Sequence, residues 1–309
     1  MCDIWKGNSN LKQLTEDDVN GLLVSLKKLG TSLVLMSGGE ALLNPNFFRL
    51  CQILRNKNIR ISLLSTGLSL EKNAKQLVEW VNEIIVSLDG PSHLHDQIRN
   101  IPGAYEKMAK GIKAIRQLQP SFPVKGRSVV HGLNFEFWNE TLDAAWDLGL
   151  DQISFLPADV TSHAFNREIL WSEQRREELL IGKDDLPALR IIIEDVIARG
   201  GRGWRAGFIA ESPERLRDIY SYYAAFHGLN PFPCRQCNAP WVSTVVEADG
   251  TVRPCFFHPP LGNIHKGSLH EILNNPESIR FRKNLDMDND MTCTRCVCRL
   301  HLSPTTKLN

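Results

Sequence analysis

Short apolar runs alternate with amphipathic helical stretches over the first half of the chain, and that alternation leaves few folds open. SLVLM (32–36), IRISLL (59–64), EIIVSL (83–88), Lys125–Val130 and QISFLP (152–157) read as five buried strands, each ending in small or polar residues. The first helix opens at Thr15, with Glu16, Asp17 and Asp18 in its acidic first turn. It carries Val19, Leu22, Leu23 and Leu26 at helical spacing and stops at Gly30. Further helices are expected at Phe47–Arg55, Lys72–Trp80, Tyr105–Leu118 and Phe137–Leu148. Strands separated by helices run parallel through right-handed crossovers. In a parallel α/β barrel the C-terminal strand ends form the active-site face.

After Pro157 the pattern changes. Trp171–Leu180 and Leu186–Arg199 read as helices, and a third starts at the cap Ser212-Pro213. From Pro231 the chain is rich in Pro, Cys and Gly. WVSTVVEADGTVRPCFF (241–257) looks like a hairpin turned at Asp249-Gly250, followed by short helices near Leu269–Leu273 and Ser278–Leu285. Tyr220, Tyr222 and Tyr223 read as helix packing. With 309 residues and a formal charge of +1, there is no electrostatic case for nucleic acid or an anionic membrane. The longest apolar runs fall far short of the roughly 20 residues a bilayer needs. We therefore expect a soluble, cytoplasmic protein.

Eight cysteines are present, six of them between Cys234 and Cys298. A chain of this length does not need a disulfide scaffold, so clustered thiols read as metal ligands. Cys234-x-x-Cys237, Cys255 and Cys293-x-x-Cys296-x-Cys298 form two separated pairs with additions, which suits either zinc or an iron–sulfur cluster. Cys51 lies on an apolar helix with Phe47, Phe48, Leu50 and Leu54, as a buried free cysteine does.

The head of the chain, Met1-Cys2-Asp3-Ile4-Trp5, resembles the end of the C-x-x-x-C-x-x-C loop of radical S-adenosylmethionine (SAM) enzymes. Ser37-Gly38-Gly39-Glu40 follows the first strand, where that family carries its GGE motif. Two glycines permit close backbone approach to a ligand, and a carboxylate pairs with an ammonium. Ser65-Thr66-Gly67 and Ser87-Leu88-Asp89-Gly90-Pro91 follow the next two strands, with His95, Asp96 and Arg99 beyond. PWVSTVVEADGTVRPC, GNI (262–264) and SLHEIL (268–273) resemble the SPASM/Twitch extension.

The resemblance implies a partial (β/α)6 TIM-like barrel lacking its first strand over residues 1–200. A SPASM/Twitch-like auxiliary-cluster domain with linking helices would occupy 201–309. It implies SAM and a [4Fe–4S] cluster as cofactors, cleavage of SAM to a 5′-deoxyadenosyl radical and hydrogen abstraction from a substrate. It also implies an electron donor such as flavodoxin or ferredoxin. Carried over by position, Cys2 matches the third cluster cysteine, and Gly38, Gly39 and Glu40 match the SAM-amine motif. Thr66, Ser87 and Asn134 stand where strand ends touch SAM, with turn and backbone hydrogen bonding as the competing role. Asp89 is expected to serve as turn chemistry.

Three departures matter. Only Cys2 of the three cluster cysteines is present, and we expect this to reflect truncation inside the motif rather than degeneration. A lone thiolate leaves too few protein ligands, so the chain as written is expected to be inactive. In the tail, Cys237, Cys255, Cys293 and Cys296 resemble a Twitch-like ligand set for one auxiliary [4Fe–4S] cluster, with Cys234 and Cys298 as extra or alternative ligands. Sulfatase-maturing members place an aspartate after the Pro-Cys pair, whereas Phe256 stands here; the nearby His258 is expected to be an ordinary surface histidine.

The leading expectation is an oxidoreductase acting on a peptide or small metabolite, with the auxiliary cluster as electron acceptor. Tetrapyrrole or cofactor maturation is the second enzymatic reading. A catalytically silent, metal-stapled binding protein holding zinc or iron–sulfur is the third.

Overall fold

A computed structural model describes residues 12–164, 167, 169–200, 206–234 and 236–303; Cys2 lies outside them. The chain opens with α1 (Glu16–Lys28), β1 (Leu33–Met36), α2 (Phe47–Arg55), β2 (Arg60–Ser65), α3 (Leu70–Trp80) and β3 (Glu83–Ser87). It continues with α4 (Ser92–Arg99), α5 (Ala104–Leu118), β4 (Val124–Val130), α6 (Trp138–Asp147) and β5 (Gln152–Pro157). The expected strands are all present, in one five-stranded sheet of order β1-β2-β3-β4-β5. The register is parallel at Leu33↔Arg60, Ile84↔Val124 and Lys125↔Gln152.

The local physics of these elements is conventional. Thr15 and Asp18 close a reciprocal capping box on α1. Ile61, Leu63, Ile84, Val86, Val124 and Ile153 are fully buried on the strands. In β4 buried Val124, Gly126, Ser128 and Val130 alternate with half-buried Lys125, Arg127 and Val129. Its second face carries paired polar groups and one apolar contact: Lys125 bonds Glu83 at 2.7 Å across β3, Arg127 donates to Ser154 across β5, and Val129 packs against Ala158, Val160 and Leu179.

Two compact units divide the described residues, one built on 64–161 and 171–233, the other on residues up to 63 and from 234 onward. The first unit adds α7 (Glu173–Glu177), α8 (Leu186–Gly200) and α9 (Pro213–Phe226). Ser212 caps α9 with Pro213 at its first turn, as expected. Tyr222 and Tyr223 are fully buried, and their hydroxyls donate to the carbonyls of Ala158 and Val130. The helix expected over Trp171–Leu180 shrinks to the five residues of α7. The segment is apolar only at its two ends, so no buried stripe sustains further turns.

The second unit adds α10 (Ala239–Val242), β6 (Val245–Val246), β7 (Thr251–Arg253), β8 (Gly262–Asn263), α11 (Leu269–Asn274), α12 (Pro276–Asn284) and α13 (Met291–Thr294). The hairpin turns where Asp249-Gly250 places it, with Val246↔Val252 antiparallel and Gly250 at φ 82°. Its first arm is shorter than expected, because Pro240 starts a helical turn through Trp241 and Val242.

Candidate functional site

In the first unit the chemistry gathers beyond β3 and β4. Pro91 caps α4, which the sequence pattern misses because only Leu94 and His95 of that helix are buried. Asp89 is 1% exposed, so the expectation that it merely makes a turn is corrected. Its carboxylate accepts from Arg99 Nε at 2.5 Å, and its backbone N–H donates to His95 Nδ1 at 3.2 Å. Asp96 faces the other way and accepts from the N–H groups of Gly103 and Tyr105, which hold its carboxyl below the usual range.

Asn134 is buried, and every polar atom of its side chain is engaged by backbone. Its oxygen accepts from His131 N–H at 2.8 Å, and its amide donates to the carbonyls of Asp89 and Val129. It ties the end of β4 to the turn after β3. His131 is fully buried beside it; burial pushes its pKa down to about 4, so the imidazole is neutral. Burial likewise lowers His95. Ser87 ends β3 half-buried, and Thr66 is half-buried in a turn where Ser65 Oγ accepts from Gly67 N–H.

In the second unit, Gly38 follows β1 at φ 145°, a conformation that a side chain strains. Nothing lies within 4 Å of where its Cβ would stand. Gly38 and Gly39 therefore present exposed backbone. Glu40 is half-buried and caps the short 3-10 turn Ala41–Leu43 by accepting from Leu42 N–H.

The tail thiols occupy the same unit. Asn238 hooks the segment after Cys237 to the chain beyond Cys298: its N–H bonds Leu300 O at 2.7 Å, and its side chain pairs with both backbone groups of Leu302. Cys237 Sγ accepts from Ala239 N–H at 3.5 Å. Cys255 Sγ faces the backbone N–H groups of Phe257 and His258. Cys293 lies in α13, which Asp290 caps, and Cys296 closes a tight turn onto it through its N–H to Cys293 O at 3.1 Å. Cys296 Sγ bonds Cys298 O, and exposed Cys234 donates to Asp288.

Cys237 and Cys255 both lie near enough to Cys293 to raise its thiol, and Cys237 has the same effect on Cys255. Burial first, then Asp290 and the two neighbouring thiols, push Cys293 up to about 12, and burial also raises Cys255. A cationic centre reverses that penalty, and a set of sulfur donors suits zinc or an iron–sulfur cluster. Cys51 has no part in the set: it is fully buried on α2, and burial pushes its thiol up to about 12.

His258 is the residue that the sequence reading misjudged. It is 4% exposed, not a surface histidine, and its Nε2 sits 3.3 Å from Cys293 Sγ and 3.9 Å from Asp290 Oδ1. The three ligand atoms lie within 4.8 Å of one another. The missed signal is its spacing, Cys255-x-x-His258, which a tight turn brings back to a common centre. Asp290 also borders an open cavity of about 360 Å³ lined by Phe281, Asn284, Leu285 and Asp286.

Fold and thiol set together define a parallel α/β protein with a cysteine-rich metal-cluster module. The radical SAM superfamily profile matches residues 1–161, and that of the SPASM iron-sulfur cluster-binding domain matches residues 234–297. The chain belongs to the radical SAM superfamily. These domains imply SAM and [4Fe–4S] clusters as its cofactors.

Among relatives, an AdoMet-dependent heme synthase of Methanosarcina barkeri is 29% identical over 140 residues, covering 44% of this chain and 40% of that enzyme. The sporulation killing factor maturation protein SkfB of Bacillus subtilis is 21% identical over 277 residues, covering 88% of this chain and 60% of that protein. The first of these alignments thus spans less than half of the relative. The structure of native anSMEcpe with bound AdoMet superposes with a TM-score of 0.64 at 18% identity, covering 92% of this chain and 79% of that one. Streptococcus suis SuiB bound to S-adenosylmethionine gives 0.62 at 16% identity, covering 91% and 64%. Both likenesses bear on the fold. No helix among the described residues is long and apolar enough to cross a membrane.

Proposed function

We propose that the chain serves a radical SAM oxidation of a peptide or small metabolite, with one auxiliary [4Fe–4S] cluster accepting the electron left by hydrogen abstraction. The carrying observation is that distant segments bring Cys237 and Cys255 near enough to Cys293 to raise its thiol, within the stretch that the iron-sulfur cluster-binding domain profile matches. Cys296 is the fourth member of that thiol set, and Cys234 and Cys298 are supernumerary. On this reading residues 1–200 form the SAM unit and 201–309 the auxiliary-cluster unit.

SAM, when bound and cleaved by one electron from a cluster, would supply the hydrogen-abstracting chemistry. The open backbone of Gly38 and Gly39 and the Glu40 carboxylate would receive its ammonium; Thr66 and Ser87 remain candidate SAM contacts by the family resemblance alone. Asn134 acts from behind: its side chain is spent on backbone, so it holds the β3 and β4 ends rather than a ligand. The site-differentiated cluster is another matter. Cys2 is the residue of this sequence that matches its motif, and Cys51, sealed in the core, does not stand in for another ligand.

Anaerobic loading of the chain with iron and sulfide tests the auxiliary site. Broad charge-transfer absorbance that disappears in Cys255→Ala supports the reading, and uptake of zinc alone refutes it. Tetrapyrrole maturation is the second reading, favoured by the likeness to the Methanosarcina barkeri heme synthase. Binding of a porphyrin by the loaded chain in preference to peptides would select it.

A further inference from the structure

We infer that His258 is a positioning residue of the auxiliary cluster, donating its Nε2–H to the Cys293 sulfur and thereby setting the cluster's reduction potential. The inference rests on the proposal that the tail thiols hold a [4Fe–4S] cluster.

With Cys293 ligating such a cluster, the geometry favours a hydrogen bond from this side chain over ligation. Each iron of such a cluster takes one terminal protein ligand. A nitrogen 3.3 Å from Cys293 Sγ stands at N–H···S distance from a ligating sulfur, not at a second iron position of its own. The imidazole is fixed there: it is 4% exposed, its ring packs edge-on against Phe281 at 5.1 Å, and its backbone carbonyl accepts from Arg253 Nη1. Arg253 is itself held by an ion pair with Glu247. A ligating thiolate carries no proton, so the nitrogen facing it must be the donor.

One-electron reduction adds negative charge to the cluster and its sulfurs. A fixed N–H dipole aimed at one of those sulfurs stabilises the reduced state more than the oxidised one. His258 therefore makes the cluster a better electron acceptor, which is the task assigned to it above. The Asp290 carboxylate, 3.9 Å from Nε2, opposes that effect and marks the potential as a balance of the two groups.

The test is spectroelectrochemical titration of the reconstituted chain, with dithionite as electron source, in wild type, His258→Phe and His258→Gln. Iron and sulfide content are measured first. We expect all three to load alike, His258→Phe to titrate at a more negative potential, and His258→Gln, which retains an N–H donor, to lie between it and wild type. Loading with an unshifted potential in His258→Phe overturns the inference while leaving the cluster assignment intact. Loss of iron in both variants overturns it too, since His258 is then a ligand. Failure of the wild-type chain to load removes the cluster assignment and the inference with it.

Discussion

Asp89 and Arg99 form a 2.5 Å ion pair in which the carboxylate is 1% exposed and the guanidinium reaches it from the last turn of α4. His95 sits 3.7 Å from the same carboxylate oxygen, and the Asp89 carbonyl is held by Asn134. The turn after β3 is thus a locked polar core. Breaking such a pair leaves a buried charge without its partner, which costs about 3–5 kcal/mol. Arg99→Met is expected to lose on the order of 3 kcal/mol in urea unfolding. The double variant with Asp89→Asn should recover a measurable part of that loss. Equal losses in the single and double variants would contradict the role of the buried charge.

Stability should also depend on Glu211. Burial pushes its pKa from 4.5 up to about 7, although its carboxylate accepts from Phe155 N–H. The folded-state value lies above the unfolded one, so stability is full below about pH 4.5 and is lost as pH rises through about 7. Glu211→Gln keeps an acceptor and removes the penalty. It should stabilise the chain by about 1–3 kcal/mol at pH 8 and leave it unchanged near pH 4. A gain of equal size at both pH values would rule out the ionisation account.

Gly67→Ala tests the turn after β2. The glycine sits at φ 86°, and a Cβ there would stand 2.7 Å from Met108 Cγ. Strain and overpacking together predict a loss of about 1–3 kcal/mol by thermal unfolding. Met108→Ala in the same background should relieve the steric part alone.

The thiols should separate by reactivity in the metal-free chain. Cys234 is exposed and should alkylate first, whereas buried Cys51, raised to about 12, should stay unmodified until the chain unfolds. Peptide mapping after timed iodoacetamide treatment gives the order. Early labelling of Cys51 would show that α2 does not seal it.

Much of this was legible beforehand. The five strands, the Ser212 cap, the Asp249-Gly250 turn and the burial of Cys51 follow from apolar spacing and local turn chemistry, which act over a few residues. Asp89 and His258 were misread for a common reason. Both look like turn residues in sequence, and each is defined by a partner the local pattern does not contain: Arg99 ten residues on, and Cys293 thirty-five residues on. Asn134 follows β4 by four residues, yet its attachment to Asp89 O spans 45 residues and leaves no periodic trace. The five-residue α7 was overextended because a helix without an apolar stripe depends on packing that only the folded chain supplies.

The central claim is that Cys237, Cys255, Cys293 and Cys296 hold an auxiliary [4Fe–4S] cluster. Iron and sulfide analysis with Mössbauer spectroscopy on the anaerobically loaded chain tests it most directly. The account predicts about four iron and four sulfide per chain, retained in Cys51→Ala and lost in Cys293→Ala. Zinc without sulfide, or iron loading that survives the removal of both Cys255 and Cys293, would contradict it.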